Sequence, residues 1–308
     1  MDPFATEADW LTRTAGVRVL DDAALVSVSG DDARAWLNGQ VTSDVRSTKA
    51  GDAVYALVLT VKGRILSDLW VLDRSESFVL VVPRETRDAL LERLEKYVIM
   101  EDVTLARVDD LAVVTVQGPL AAEVVGDSPQ SYPCDRLGTG GHDVLVATDA
   151  VDHALAALAA RATASGGGLV SERGWELARL ELARPRFAVD FGEKSYPQEA
   201  GLETRAVSFS KGCYLGQEVV CMLENRGQLV RRLVSLDVDG QPPAPGTVLC
   251  AQTGQDPVGE VTSSAAVPGS GARSIALGYV KRALAAQGTA LRAGESAATV
   301  RETVGGAR

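Results

Sequence analysis

Between Tyr55 and Val82 the chain is almost entirely strand, and this narrows the folds open to it. Ala56-Leu57-Val58-Leu59-Thr60-Val61 leads into a turn, Lys62-Gly63-Arg64, and out through Ile65-Leu66-Ser67-Asp68-Leu69-Trp70-Val71-Leu72. Phe78-Val79-Leu80-Val81-Val82 follows. Apolar runs of this length, rich in β-branched residues and bounded by turn formers, read as buried strands. Asp68 interrupts the second run. Its carboxylate either faces solvent at a strand edge or is aimed into a cavity, and if buried it needs a partner or a raised pKa.

The flanking segments alternate strand and helix. Gly16 to Ser29 reads as short strands, and Ser29-Gly30-Asp31-Asp32 supplies N-cap chemistry for a short helix through Ala33, Ala35, Trp36 and Leu37. That helix is expected to end in a turn at Asn38-Gly39-Gln40, with the hydrogen-bonding side chains from Asn38 to Asp44 serving the turn. Pro83 is placed to open a second helix carrying Leu90, Leu94 and Tyr97. Strands follow at Val103 to Val108, Leu111 to Val116 and Asp143 to Thr148, then an Ala/Leu-rich helix from Val151 to Ser165 that the Gly166-Gly167-Gly168 run breaks. Strands in the company of two helices suggest an α+β layer, a ferredoxin-like arrangement being one option. A helix from Glu172 to Ala183 carries Arg179 and Glu181, whose charges fit an ion-paired solvated face. Asp190 to Glu203 is loop-like. After Arg231 short strands alternate with Gly/Pro turns, which suggests a small antiparallel barrel or sandwich beginning near Leu229.

Charge and cysteine content limit the function classes. At 308 residues, with 31 basic and 41 acidic side chains and a net charge of −10, the chain has room for two or three domains. Its acidic balance argues against a broad nucleic-acid or anionic-membrane footprint. A small basic pocket for a carboxylated ligand remains compatible with it. Cys134, Cys213, Cys221 and Cys250 form no CxxC pair, and only His142 and His153 are available beside them, so no metal site is expected. The start lacks the basic and apolar regions of a signal peptide, and no stretch reaches ~18 apolar residues. A cytoplasmic location with reduced thiols is therefore expected. No GxxxxGK[ST], GxGxxG or GxSxG pattern occurs.

One octet stands apart: Lys211-Gly212-Cys213-Tyr214-Leu215-Gly216-Gln217-Glu218. A lysine, a thiol, a phenol, an amide and a carboxylate fall among two glycines, which allow close backbone approach. Residue chemistry alone leaves two readings, a ligand-lined loop or a turn leading into a helix with Cys213 as a small hydrophobe.

The octet resembles the signature of the folate-binding YgfZ-type proteins, a branch of the superfamily that includes the glycine-cleavage T-protein, an aminomethyltransferase. The resemblance extends along the chain. Ser29-Gly30-Asp31-Asp32-Ala33 through Leu37-Asn38-Gly39-Gln40-Val41-Thr42-Ser43-Asp44 is similar to the family's opening motif, and Gly63-Arg64 with Asp68 to its G-R-x-x-x-D hairpin. Arg179-Leu180-Glu181 resembles its R-x-E element, and Pro197-Gln198-Glu199 with Leu202 its P-x-E-x-x-L element.

This resemblance implies a fold and a function. The fold is α+β, three domains in a ring around a central cavity that holds tetrahydrofolate. The implied domains are a discontinuous folate-binding domain (1–50, 115–142 and 180–228), a discontinuous ferredoxin-like α+β domain (51–114 and 143–179) and a C-terminal antiparallel β-barrel (229–308). Glu181 is the residue implied to hold the pteridine ring, by accepting two N–H donors from its guanidine-like edge. The remaining folate contacts are expected among Asp190, Glu199, Tyr214, Gln217, Glu218, Arg226, Asn38, Gln40 and Thr42. Asp68 matches the transferases' catalytic aspartate, but Ser67 stands where they commonly carry a second acid, and they lack the octet cysteine. The resemblance therefore implies a tetrahydrofolate-binding accessory protein for iron–sulfur client enzymes, with Cys213 as the functional thiol and Lys211 favouring its thiolate. A one-carbon transferase and a non-catalytic scaffold are the alternatives. Met222 replaces an arginine often found in the family, so that contact does not transfer. Cys221 is a poor redox partner for Cys213, because eight residues of helix span ~12 Å.

Overall fold

The computed structural model describes residues 2–227, 229–254 and 256–306, apart from the Arg226 side chain. A helix outside the sequence expectations, α1 (Pro3–Arg13), opens the chain. The Asp2 carboxylate caps it, accepting from the Phe4 and Ala5 amides at 2.9 and 3.3 Å, and Pro3 sits where its missing N–H costs nothing. Then come β1 (Gly16–Val19), β2 (Ala23–Ser29), α2 (Ala33–Gln40), β3 (Ala53–Leu59), β4 (Ile65–Asp73), β5 (Ser77–Pro83), α3 (Arg87–Glu95), β6 (Thr104–Val108) and β7 (Leu111–Gln117). They are followed by α4 (Ala121–Val125), β8 (Ser131–Tyr132), β9 (Gly141–Ala147), α5 (Val151–Ala164), β10 (Gly168–Leu169), α6 (Glu172–Glu181), α7 (Glu203–Ala206) and α8 (Gln217–Arg226).

The first ten strands form two five-stranded sheets, ordered β3-β4-β5-β2-β6 and β10-β1-β7-β9-β8. Pairing is antiparallel except between β1 and β10. The first sheet turns Val26, Val28, Leu69, Val71 and Leu80 toward Trp36 and Leu37 of α2 and Leu90 and Leu94 of α3. The second covers Val17, Val114 and Val116 with Leu158 and Ala162 of α5. On their other faces the sheets meet through Leu25, Trp70, Leu72 and Val81 against Val113 and Leu145. The period-2 alternation of β4 therefore puts Asp68 with Trp70 between the sheets and sends Ser67 to the helix side.

The C-terminal strands β11 (Arg231–Asp239), β12 (Val248–Ala251), β13 (Pro257–Ala266), β14 (Arg273–Lys281), β15 (Ala290–Ala293) and β16 (Ser296–Thr303) close into a barrel of order β11-β14-β13-β12-β15-β16. Closure leaves no unpaired edge. Barrel residues Leu233, Ile275, Leu277 and Tyr279 pack with Leu177 and Leu180 of α6 and Leu11 of α1. The α+β class and the C-terminal antiparallel barrel are as expected.

Four sequence expectations are corrected. Asn38-Gly39-Gln40 is the last turn of α2 and not a loop. Pro83 ends β5, and a single 3₁₀ turn, Arg84–Thr86, precedes α3. β15 (Ala290–Ala293) is a barrel strand that the expected set did not include. The expected domain bounds also cross the sheets. β2 pairs along its whole length with β5 and also with β6, although 1–50 and 51–114 were assigned to different units. β9, expected to lie with 51–114, pairs with β7 in the other sheet. Alternation within a strand fixes which face is buried and does not name the partner strand. Among the described residues no helix is long and apolar enough to cross a membrane.

Candidate functional site

Where the two sheets diverge they leave a cavity of about 1260 Å³, lined by β1, β4, β5, α6, Arg205 of α7 and the loops carrying Arg136 and Phe187. Its lining is mixed. Seven arginines (Arg18, Arg84, Arg136, Arg179, Arg184, Arg186 and Arg205) face six acids (Glu7, Asp21, Asp22, Asp68, Glu85 and Glu172), with the rings of Tyr55, Trp70, Trp175 and Phe187 between them. On a chain of net charge −10, this is a local concentration of guanidinium groups.

Asp68 is the carboxylate best placed to act in this cavity. Its Oδ2 accepts from the Tyr55 hydroxyl at 2.7 Å. Tyr55 and Trp70 stand opposite each other on β3 and β4, with ring centroids 5.4 Å apart. Burial raises the Asp68 carboxyl above its ordinary 3.8, against the Tyr55 hydrogen bond and the Arg136 charge, which lower it. The Tyr55 phenol is raised well above 10, first by burial and then by Asp68.

The guanidinium groups are held rigidly. Burial works against the charge of Arg136, but Asp143 beside it more than offsets this and keeps its pKa above the ordinary value. Arg136 Nε bonds both Asp143 oxygens at 3.1 Å. Arg179 bonds Glu176 at 2.9 Å and Asp190 at 2.8 Å. Arg205 donates to the Asp135 and Arg136 carbonyls at 2.9 and 3.3 Å and lies over the Tyr55 ring. Arg84 Nε donates to the Asp21 carbonyl at 3.0 Å. Arg84 and Arg205 thus bond backbone carbonyls rather than carboxylates and keep charge to offer a ligand.

The octet lies elsewhere, docked on the end of α2 and the β3–β4 turn. Lys211 Nζ donates to the carbonyls of Asn38, Val41 and Ser43 at 2.6, 2.7 and 2.7 Å. An α-helix leaves its last carbonyls unsatisfied, and a cation there also meets the negative end of the helix dipole. Burial lowers Lys211 to about 8. The Leu215 amide donates to the Gly39 carbonyl at 3.2 Å. Gly216 has φ +83°, and a Cβ there would stand 2.4 Å from the Thr60 carbonyl, so glycine lets the octet lie on the turn. A Cβ on Gly63 would meet Val219 at 2.9 Å from the other side. Opening motif, hairpin and octet therefore form one packed unit.

Of the expected site residues whose side chains are described, Asp68 alone lines the cavity. Glu181 does not, because it is two residues, some 200°, around α6 from Arg179. It stands near Arg301, Asp9 and Arg273, and burial raises its pKa. Asp190 is buried, accepting from Arg179, Thr262 and Ser263. Glu199 binds Arg64 of the hairpin and Arg231 of the barrel, each at 3.4 Å. Thr42 is fully buried, accepting from the Leu57 amide at 2.8 Å and donating to the Ala206 carbonyl. Asn38 Oδ1 accepts from the Val45 amide at 3.0 Å. Gln40 is half-buried on the last turn of α2. Tyr214 is core, packed with Leu57, Leu59, Ile65 and Val220. Gln217 and Glu218 form the first turn of α8, with Glu218 exposed. The Arg226 side chain lies outside the described residues. Cys213 is free and exposed on the surface of the octet, while Cys221 is half-buried on α8. Among the described residues no group of three or more His, Cys, Asp or Glu is arranged to hold a metal.

The sequence reading missed Tyr55, Trp70, Arg136, Arg179 and Arg205. Tyr55 and Trp70 share the face of Asp68 by pairing and alternation, a signal present in the sequence once β3 and β4 are registered. Arg136 comes from a loop and Arg205 from the single-turn α7, neither with a pattern.

Residues 1–135 match the family profile described as the GCVT N-terminal domain, and residues 231–304 that of the glycine cleavage T-protein C-terminal barrel domain. A protein of Sodalis glossinidius named tRNA-modifying protein YgfZ is 30% identical over 253 residues, 77% of this chain and 76% of that protein. Its namesake from Klebsiella pneumoniae is 31% identical over 238 residues, 70% of each chain. The crystal structure of the glycine cleavage system aminomethyltransferase T from Bartonella henselae superposes with a TM-score of 0.83 at 22% identity, covering 98% of this chain and 89% of that one. At that identity the likeness speaks for the fold.

Proposed function

Since this chain belongs to the YgfZ-type branch of the glycine-cleavage T-protein superfamily, we propose that it binds tetrahydrofolate in the cavity between its sheets. We further propose that it supports iron–sulfur enzymes inside the cell through the Cys213 thiol. The observation that carries the folate reading is the cavity's chemistry. Its volume of about 1260 Å³ exceeds the ~300–1,000 Å³ of ordinary ligand pockets. A reduced pterin needs flat apolar walls and a carboxylate for its N–H edge, and its glutamyl tail needs cations. Tyr55, Trp70 and Trp175 supply walls, Asp68 a carboxylate, and Arg84 and Arg205 guanidinium groups without carboxylate partners. These residues fit the ligand. When bound, a reduced folate carries one-carbon units.

In this reading Asp68, not Glu181, meets the ring. Anaerobic calorimetric titration with tetrahydrofolate tests it. Wild type and Glu181→Ala are expected to bind alike and Asp68→Asn at least tenfold more weakly. Equal binding by Asp68→Asn, or its loss in Glu181→Ala, would reverse the assignment. Absence of binding by folded wild type would remove the folate reading altogether.

Exposure of Cys213 at the surface of a rigid octet supports a thiol that meets a client rather than the cavity. Cys213→Ala is expected to fold normally and to fail in supporting iron–sulfur enzyme activity in cells; full support would take the thiol out of the mechanism. A transferase is the second reading, favoured by the burial and Tyr55 hydrogen bond of Asp68, and folate-dependent exchange of glycine carbon tests it. The relatives' name adds tRNA as a partner class to test, against which a net charge of −10 counts.

A further inference from the structure

Ile99 and Met100 are 82% and 94% exposed, the two most exposed large apolar side chains among the described residues, and they are consecutive. Single apolar side chains on a surface are normal; those that project together are what binding patches are made of. Hydrogen bonds fix the turn that carries them. The Glu101 carboxylate accepts from both of their amides at 3.0 Å. Asp32 accepts from the Asp102 amide at 2.8 Å, and the Trp36 indole donates to the Tyr97 carbonyl at 3.0 Å, so the turn is fastened to the start and the middle of α2. Gly30, at φ +115°, lies so close to Asp102 that a Cβ there would collide with its carbonyl oxygen. An apolar projection already ordered in this way loses little conformational entropy on meeting a partner.

The other end of α2 carries the octet, through Lys211 on the Asn38 carbonyl at 2.6 Å and the Leu215 amide on the Gly39 carbonyl at 3.2 Å. Eight residues of α2 separate the two ends, about 12 Å of helix. The outward line of that helix is low: Ala35 is exposed, and a Cβ added at Gly39, one turn on, would meet nothing within 4 Å. A protein interface of ordinary size covers about 800 Å² per partner, a patch about 30 Å across. One partner resting on α2 can therefore cover the Ile99–Met100 turn and the exposed Cys213 together. Charge around the turn defines that partner. Asp31, Asp32, Glu101 and Asp102 are all exposed there. The neighbouring cations are engaged: Arg34 pairs with Asp73 and Lys96 with Glu92, each at 2.8 Å, and Arg93 lies over the Tyr97 ring. Such a rim repels acidic protein and anionic lipid and attracts Lys and Arg.

We propose that an iron–sulfur client protein docks on the Ile99–Met100 turn through an apolar cleft bordered by Lys or Arg, which brings it over Cys213. This rests on the reading of Cys213 as a thiol that meets a client. The test is iron–sulfur enzyme activity in cells deleted for this chain and carrying Ile99→Ser/Met100→Ser, Asp31→Lys or Cys213→Ala, each at native level and at about tenfold excess. The double variant and Asp31→Lys are expected to lose at least about threefold at native level and to recover at the excess, as mass action restores a weakened docking step. Cys213→Ala is expected to fail at both levels. Urea midpoints and tetrahydrofolate binding of the purified docking variants should match wild type, which separates docking from folding and from the cavity. If Cys213→Ala fails, full support by either docking variant at native level, or a loss that the excess does not restore, overturns the proposal and leaves the thiol reading standing. Full support by Cys213→Ala overturns both. Self-association in sedimentation, or flotation with phosphatidylcholine vesicles, that the double variant abolishes would give the turn to a second copy or to a membrane and likewise overturn the proposal.

Discussion

Replacing Lys211 by methionine asks whether the octet lysine serves the thiol or the fold. The side chain keeps its length and loses its ammonium, leaving the carbonyls of Asn38, Val41 and Ser43 without their donor. A hydrogen bond to a charged group contributes about 1.5–3 kcal/mol, so three at the lower value give about 4.5 kcal/mol. Burial opposes this. A pKa lowered from 10.5 to about 8 corresponds, at 1.36 kcal/mol per pKa unit, to about 3 kcal/mol before screening. Solvent still reaches the group and cuts that to roughly 2. The expected net loss is about 2–3 kcal/mol, read by urea unfolding followed through tryptophan fluorescence. In the same sample, the rate of Cys213 alkylation in the folded state, measured well below the unfolding transition, should stay within about threefold of wild type. Unchanged stability with a tenfold slower thiol would refute the structural role and return Lys211 to the chemistry of Cys213.

Gly216→Ala forces a left-handed alanine, at about 1–2 kcal/mol, and drives a Cβ against the Thr60 carbonyl; a loss of about 2–3 kcal/mol is expected in the same unfolding assay. Asp68 titrates above its ordinary 3.8 in the folded chain, so the folded state holds more protons than the unfolded one just above that pH. Its contribution to stability therefore falls as pH rises through the window from 3.8 up to the folded-state value. Asp68→Asn should lack that fall and gain on wild type as pH rises above 3.8; parallel pH–stability curves would contradict the burial argument. Glu199→Gln leaves Arg64 and Arg231 without their shared carboxylate. Because those side chains remain 34% and 31% exposed, about 2 kcal/mol is expected rather than the ~3–5 of a fully buried pair, measurable by the same denaturation.

The sequence by itself determined the local elements. Alternation and apolar runs gave β2 to β5, the Ala/Leu period gave α5, and Gly/Pro punctuation after Arg231 gave most of the barrel. The motifs also identified the family, since their residue order survives without coordinates. The sequence could not say what the dense polar side chains were for. Asn38, Thr42, Lys211, Asp190 and Glu199 look like ligand contacts in one dimension. In the fold, Asn38 satisfies a backbone amide of the adjoining turn, and the others satisfy backbone groups or buried charges where segments far apart in the chain cross. Side chains of that kind are needed wherever a helix end or loop is buried, because unpaired backbone groups are costly there. The cavity was set by tertiary structure alone. Strand pairing put Tyr55 beside Asp68, the divergence of two sheets made the space, and a loop and the one-turn α7, both without periodicity, brought Arg136 and Arg205 to its wall. A strand's own pattern says which face is buried; which partner it meets, and what gap is left between two such faces, depends on the packing of the whole chain.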